Sequence, residues 1–191
     1  MKTYVFIVVC VLKDALLRHG ICKPFYMRKL ERIQIAPRWI LKKRNLIMRK
    51  IKAENEFVIK FANVNGSGSA SANQMFAKGV FRMGIPVSPK NIFPSNIQGL
   101  PTWFEVRVTE KGYLGRREGI DISVAMNPQS YAEDIAEIRT GGYLLYDSSW
   151  KRDFGREDIN VIGIPLTDMC VEAFSNPKLR LLFKNIVYVG A

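Results

Sequence analysis

Three cysteines and one histidine are the only thiol or imidazole ligands in 191 residues. Cys10, Cys22 and Cys170 form no C-x-x-C pair, and only His19 could join them, so zinc or iron–sulfur ligation within the chain is not expected. Such sparse cysteine usage suits a reducing cytoplasm. Cys170 reads as a small buried apolar residue, and His19 as a residue without a functional role. Long apolar runs are also missing. Residues 4–12 form a nine-residue apolar stretch behind Lys2, but Lys13, Asp14 and Arg18 follow without a small-x-small cleavage site. A signal peptide is therefore rejected, and a bilayer span needs roughly 20 apolar residues. No Gly-Lys-Ser/Thr P-loop and no G-x-S-x-G elbow occurs.

The charge that is present is very unevenly placed. Residues 1–52 hold 14 Lys or Arg against Asp14 and Glu31, which accounts for the whole net charge of +12. Residues 53–191 hold 15 basic and 15 acidic side chains and are electroneutral. The segment 23–52 interleaves cations with Ile, Leu, Phe and Trp, a pattern able to lie on an acidic membrane surface or along a phosphate backbone. Pro24 and Pro37 break its helical periodicity, however, and Met48 stands just before a conventional domain start. The expectation is an irregular basic extension over 1–52, with Met48 beginning the natural protein and no nucleic-acid or membrane partner. An anionic-surface binder acting through residues 1–52 is the alternative.

From Glu56 onward, short apolar runs alternate with Gly/Pro/Asn/Ser turns and helical patterns, which predicts an α/β domain over 53–191. Its expected form is Rossmann-like, a mostly parallel twisted sheet flanked by helices. Residues 57–61 read as the first buried strand. Ala72, Met75, Phe76, Gly79, Val80 and Met83 fall on one helical face, with Ser69 or Ser71 as cap and Gly84 as stop. Residues 85–87 start an extended piece, and 91–101 form a loop. Phe104, Val106 and Val108 alternate with polar residues as a half-buried strand, and Ile120 to Met126 alternate again. Asn127-Pro128 opens a helical stretch over 129–138, ended before Gly141-Gly142. Residues 143–146, 161–164 and 186–189 read as further strands, the last two separated by a helix over 167–174 that Thr167 could cap.

A parallel sheet collects binding loops at the carboxyl ends of its strands. Asn65, Gly66, Ser67, Gly68 and Ser69 then sit at the top of the first strand, where backbone amides and a helix end could hold phosphate. The G-x-G-x-x-G pattern fails at Ser71, and Lys90-Asn91 stands where a ribose-binding acid would be, so a plain NAD site is not supported. The same loop could equally be a tight strand-to-helix turn or a contact for a neighbouring subunit. Asn127 and Asp147 close two other strands on this rim. No candidate catalytic residue and no metal ligand emerges.

The runs FVIKFANVNGSGSASAN (57–73) and PKNIFPSNIQGLPTW (89–103) resemble the gamma domain that begins the alpha subunit of bacterial 2-oxoglutarate:ferredoxin oxidoreductases, and FEVRV (104–108), VAMNP (124–128) and GYLLYD (142–147) continue the likeness. The resemblance implies an oxidoreductase complex that decarboxylates a 2-oxoacid on thiamine diphosphate, passes electrons through a [4Fe–4S] cluster to ferredoxin and forms an acyl-CoA. It places those groups in the rest of the alpha subunit and in a beta subunit, so this chain is expected to hold no cofactor and to be inactive alone. Its part would be assembly and covering of the active site, with Ser95, Asn96, Gln98, Gly99, Asn127 and Asp147 at the interface or active-site rim. Many relatives read Gly-x-Gly-Gln-Gly where this chain has Asn65 to Ser69. The segment 188–191 looks like a strand-to-helix connection, which suggests a C-terminally truncated domain. A freestanding nucleotide- or CoA-binding module using the Gly66 loop is the second alternative.

Overall fold

The first buried strand, β1 (Glu56–Val64), lies at the centre of a six-stranded sheet. It belongs to a computed structural model that describes residues 55–94 and 97–191. The expectations for residues 1–52, and for Ser95 and Asn96, lie outside the described residues. After β1 come helix α1 (Ser69–Arg82), strands β2 (Val87–Ile92), β3 (Pro101–Thr109) and β4 (Ile120–Ala125), and a short 3-10 turn at Pro128–Ser130. Helix α2 (Tyr131–Ala136), β5 (Ile138–Asp147), β6 (Asn160–Ile164), α3 (Leu166–Ala173) and α4 (Pro177–Gly190) complete the order.

The sheet runs β2-β3-β1-β4-β5-β6. β1, β4, β5 and β6 are mutually parallel, whereas β3 is antiparallel to both β1 and β2. The reversal follows from chain length. Only eight residues separate Ile92 from Pro101. That is enough for a hairpin loop and too few for a parallel crossover, which needs a dozen or more. The sheet is therefore mixed α/β with a parallel majority and an antiparallel edge pair.

Neighbouring strand residues face opposite sides, so Phe61 and Ala62 define the two faces. On the first, the Phe61 ring meets Phe76 of α1 at 5.4 Å and Tyr188 of α4 at 5.9 Å between centroids. On the second, Ala125 and Leu144 join Tyr131 and Ile135 of α2, with Ile138, Ile159 and Phe154 around them. Helices thus cover both faces. Burying a side chain such as Phe61, 1% exposed, contributes about 1.5–3 kcal/mol.

Tertiary packing overrides several local expectations. Residues 186–189 are not a strand: Asn176 accepts from Lys178 N and Pro177 occupies the first turn, a helix start that carries α4 on through Gly190. Residues 188–190 accordingly close a helix, not a strand-to-helix connection. The predicted helix 129–138 shrinks to the 3-10 turn and six-residue α2, because Ile138 already pairs with Ile120 as the start of β5. Gly141-Gly142 is no boundary. The β4 register jumps there from Ile138 to Tyr143, and a Cβ on Gly142 would lie 2.9 Å from the Asp121 carbonyl oxygen. Strand β3, expected to be half-buried, is buried on both faces, Glu105 included. Of the predicted α1 stripe, Ala72 and Val80 are buried and Phe76 packs on Phe61, but Met83 is 43% exposed.

Candidate functional site

The carboxyl ends of β1, β4 and β5 do converge, and around them the predicted rim residues can be placed one by one. Ser67 N donates to Val64 O at 3.2 Å, closing a tight turn after β1. Gly66 and Gly68 hold φ of 82° and 76°, a region costly for other residues. Gly68 is the N-cap of α1, with no side-chain cap, so neither Ser69 nor Ser71 plays that part. Ser69 is buried in the first helical turn instead.

The segment 97–100 closes over this turn. Asn65 N donates to Leu100 O at 2.9 Å, Gly99 N to Asn65 O at 3.1 Å, and Asn65 Nδ2 to Ile97 O at 3.1 Å. Gln98 lies directly above Gly66, where an added Cβ would stand 2.9 Å from its Cγ. From the other side, Asn185 Nδ2 of α4 donates to Ser67 O at 2.8 Å. The structure thus brings together Asn65, Gly66, Ser67, Gln98 and Gly99, and adds Asn185, which sequence reasoning missed.

Asn127 and Asp147 reach the same rim, but the fold uses their polar atoms. Asn127 is 1% exposed; it caps the 3-10 turn by accepting from Gln129 N at 3.0 Å, and its Nδ2 donates to Asn63 O at 3.4 Å. Asp147 accepts from Thr167 Oγ1 at 2.5 Å and from Ser149 N at 3.2 Å, and Lys184 Nζ lies 2.6 Å away. Burial works to raise the Asp147 pKa, yet Lys184 and Thr167 hold it down at about 2. Thr167, expected to cap α3, lies inside it, because Pro165 is the N-cap and there is no side-chain cap; its hydroxyl instead ties the start of that helix to β5.

The remaining titratable groups near the rim are likewise quiet. Burial pushes the Tyr188 hydroxyl well above its ordinary range, and that hydroxyl donates to Asn73 Oδ1 at 2.8 Å. Burial also raises the Cys170 thiol, which disfavours a reactive thiolate. Among the described residues no group of three or more His, Cys, Asp or Glu could hold a metal ion, and no helix is long and apolar enough to cross a membrane. Such a rim can position a neighbour or accept an anion at the start of α1. It offers no free acid–base pair or activated nucleophile.

A second polar cluster lies on the α2 face. Lys60, 3% exposed, sits in the middle of β1 with Nζ 2.7 Å from Glu137 Oε2 and 5.0 Å from the Trp103 ring centre. Trp103 Nε1 and Ser130 Oγ each donate to Asp134 at 2.7 Å, and burial raises that carboxyl despite both bonds. Arg116 forks onto Glu105, which is 2% exposed, at 3.0 and 2.7 Å. The signal available was Lys60 itself, a charge inside an otherwise apolar buried run, which requires a partner.

Comparison with known proteins gives a consistent result. Residues 58–191 match the protein family described as pyruvate ferredoxin/flavodoxin oxidoreductase. Subunit alpha of 2-oxoacid:ferredoxin oxidoreductase 2 from Aeropyrum pernix is 28% identical over 86 residues, which is 45% of this chain and 13% of that one. The solved 2-oxoglutarate:ferredoxin oxidoreductase of Magnetococcus marinus, with 2-oxoglutarate, coenzyme A and succinyl-CoA bound, superposes with a TM-score of 0.62 at 24% identity over 71% of this chain and 23% of that chain. The keto/oxoacid ferredoxin oxidoreductase gamma subunit of Geobacter sulfurreducens superposes at 0.54 with 18% identity, over 70% of this chain and 73% of that one. Both superpositions are likenesses of fold. The chain spans less than a quarter of the length of the Aeropyrum and Magnetococcus proteins.

Proposed function

The chain belongs to the pyruvate ferredoxin/flavodoxin oxidoreductase family, and on that premise we propose that it is the gamma-type region of a 2-oxoglutarate:ferredoxin oxidoreductase alpha subunit, serving assembly and active-site covering and not catalytic by itself. The observation that carries this reading is the rim. Its loops are locked to one another by backbone bonds, and its buried carboxylate, Asp147, is ion-paired with Lys184. A surface of that kind suits a rigid platform for other polypeptides better than a reacting centre.

The parent complex then decarboxylates the 2-oxoacid on thiamine diphosphate, transfers electrons through a [4Fe–4S] cluster to ferredoxin, and forms an acyl-CoA in the cytoplasm. Partners of this chain are the rest of the alpha subunit and a beta subunit, with ferredoxin reached through the complex. The described residues do not fit the cluster, since Cys170 is their only thiol and it is buried. For a phosphate-bearing ligand such as CoA, the candidate contact is the turn from Asn65 to Ser69, where α1 starts without a side-chain cap or an acidic residue in its first turn. Gln98 would have to swing away from Gly66 to admit it.

Deleting residues 58–191 from the full alpha subunit tests the proposal. Failure to assemble with the beta subunit, or loss of 2-oxoglutarate turnover in an assembled complex, is the expected result. Normal assembly and normal turnover would refute it.

A further inference from the structure

The ten residues that join β3 to β4 form an exposed strap. β3 and β4 both flank β1, so residues 110–119 must cross the start of that strand, over the face that carries Lys60, Glu105 and Arg107. None of the ten is buried. Their two large apolar side chains point away from any core: Tyr113 is 55% exposed and Leu114 74%.

What attaches this strap is almost wholly ionic and polar. Arg116, itself 52% exposed, forks onto both oxygens of Glu105. Arg117 bonds Asp121 and has Nη1 3.7 Å from Glu56. Arg107 of β3 donates to Gly115 O and lies under the Tyr113 ring at 5.5 Å, while Ser88 Oγ donates to Leu114 O at 2.9 Å. At either end a glycine holds a left-handed φ, 73° at Gly112 and 77° at Gly119. The patch underneath is unusual too. Glu105 and Lys60 are direct partners in the middle of β3 and β1, where a sheet covered on both faces ordinarily carries apolar residues.

We propose that residues 110–119 form an electrostatically latched flap, hinged at Gly112 and Gly119, whose opening uncovers the Lys60, Glu105 and Arg107 patch while the sheet stays paired. The nine-residue β1–β3 register and the β1–β4 pairing do not pass through the strap, so its release breaks no ladder. Because the latch is made of partly exposed ion pairs, salt weakens it. The screening length falls from about 10 Å at 0.1 M to about 3 Å at 1 M, so the opening equilibrium should rise about fivefold to tenfold over that range.

Chymotryptic cleavage of the full chain at Tyr113 and Leu114, followed by peptide mass at 0.1 and 1 M NaCl and normalised to a short peptide of the same sequence, tests the flap, with hydrogen exchange of β1, β3 and β4 read alongside. The expected result is a rise in cleavage rate of that size with the protection of the sheet unchanged. Arg116→Gln should speed cleavage at low salt and reduce its salt response. The double variant Arg116→Gln/Glu105→Gln, which leaves no unpaired buried carboxylate, should do the same while keeping the sheet protected. Salt-independent cleavage, cleavage of the double variant equal to wild type, or simultaneous loss of protection in β1 and β3 would each overturn the proposal.

Discussion

Replacing Asp147 by Asn removes the anion from a pair that β5 and α4 bury together. Asp147 is 3% exposed and lies 2.6 Å from Lys184 Nζ. Although burial alone would raise it, Lys184, Thr167 and Ser149 hold the carboxyl at about 2 instead of 3.8. At about 1.4 kcal/mol per pH unit, that depression corresponds to about 2 kcal/mol of stability. Because the folded-state pKa lies below the unfolded one, the contribution is fully present above the unfolded value and is lost as pH falls through about 2. Urea denaturation of wild type and Asp147→Asn should therefore show a gap of about 2 kcal/mol at pH 7, shrinking to about half at pH 3. A gap that is absent at pH 7, or equal at both pH values, would refute the assignment of Asp147 as the ion-paired clamp between β5, α3 and α4.

Three further outcomes follow from the packing. Phe61→Ala, which empties the ring cluster with Phe76, Phe104 and Tyr188, should cost about 3–5 kcal/mol in equilibrium unfolding, and a loss under 1 kcal/mol would contradict the described core. Gly66→Ala combines a left-handed φ of 82° with a Cβ 2.9 Å from Gln98 Cγ, so it should destabilise by about 1–3 kcal/mol. Adding Gln98→Ala should restore only the steric part, as a double-mutant cycle would reveal. Lys60→Met should change stability by no more than about 1 kcal/mol, because the apolar stem is kept and Glu137, 37% exposed, can be rehydrated; a loss above 3 kcal/mol would mean that the pair is worth more than its geometry implies.

The parallel core was readable because its signals were local. FVIKF, VAMNP and GYLLYD each announce a buried strand followed by turn chemistry, and the chain bears them out at β1, β4 and β5. Where the outcome was decided between distant segments, local reading failed. Residues 186–189 have strong β propensity, yet Tyr188 is wanted on the Phe61 ring and Asn73, and the Asn176-Pro177 start carries the helix through them. The rim shows the same division. Asn65 to Ser69 and Gln98-Gly99 were visible as turn-rich segments, but their mutual hydrogen bonds were not. Lys184, which pairs with Asp147, lies 37 residues away on an element misjudged at its far end. The buried charges Glu105 and Asp134 look, in sequence, like the outward positions of ordinary amphipathic elements; only the strap and the Trp103 indole reveal why they are tolerated inside.

The proposed role has this rim serve neighbouring polypeptides and conduct no reaction itself. Its most direct measurement is 2-oxoglutarate-dependent ferredoxin reduction, in the presence of CoA and thiamine diphosphate, by the chain alone and by the parent complex lacking residues 58–191 with the chain added back. No reduction by the chain alone and recovery of turnover on add-back are expected. Reduction by the chain alone, or a deleted complex as active without the chain as with it, would contradict that role.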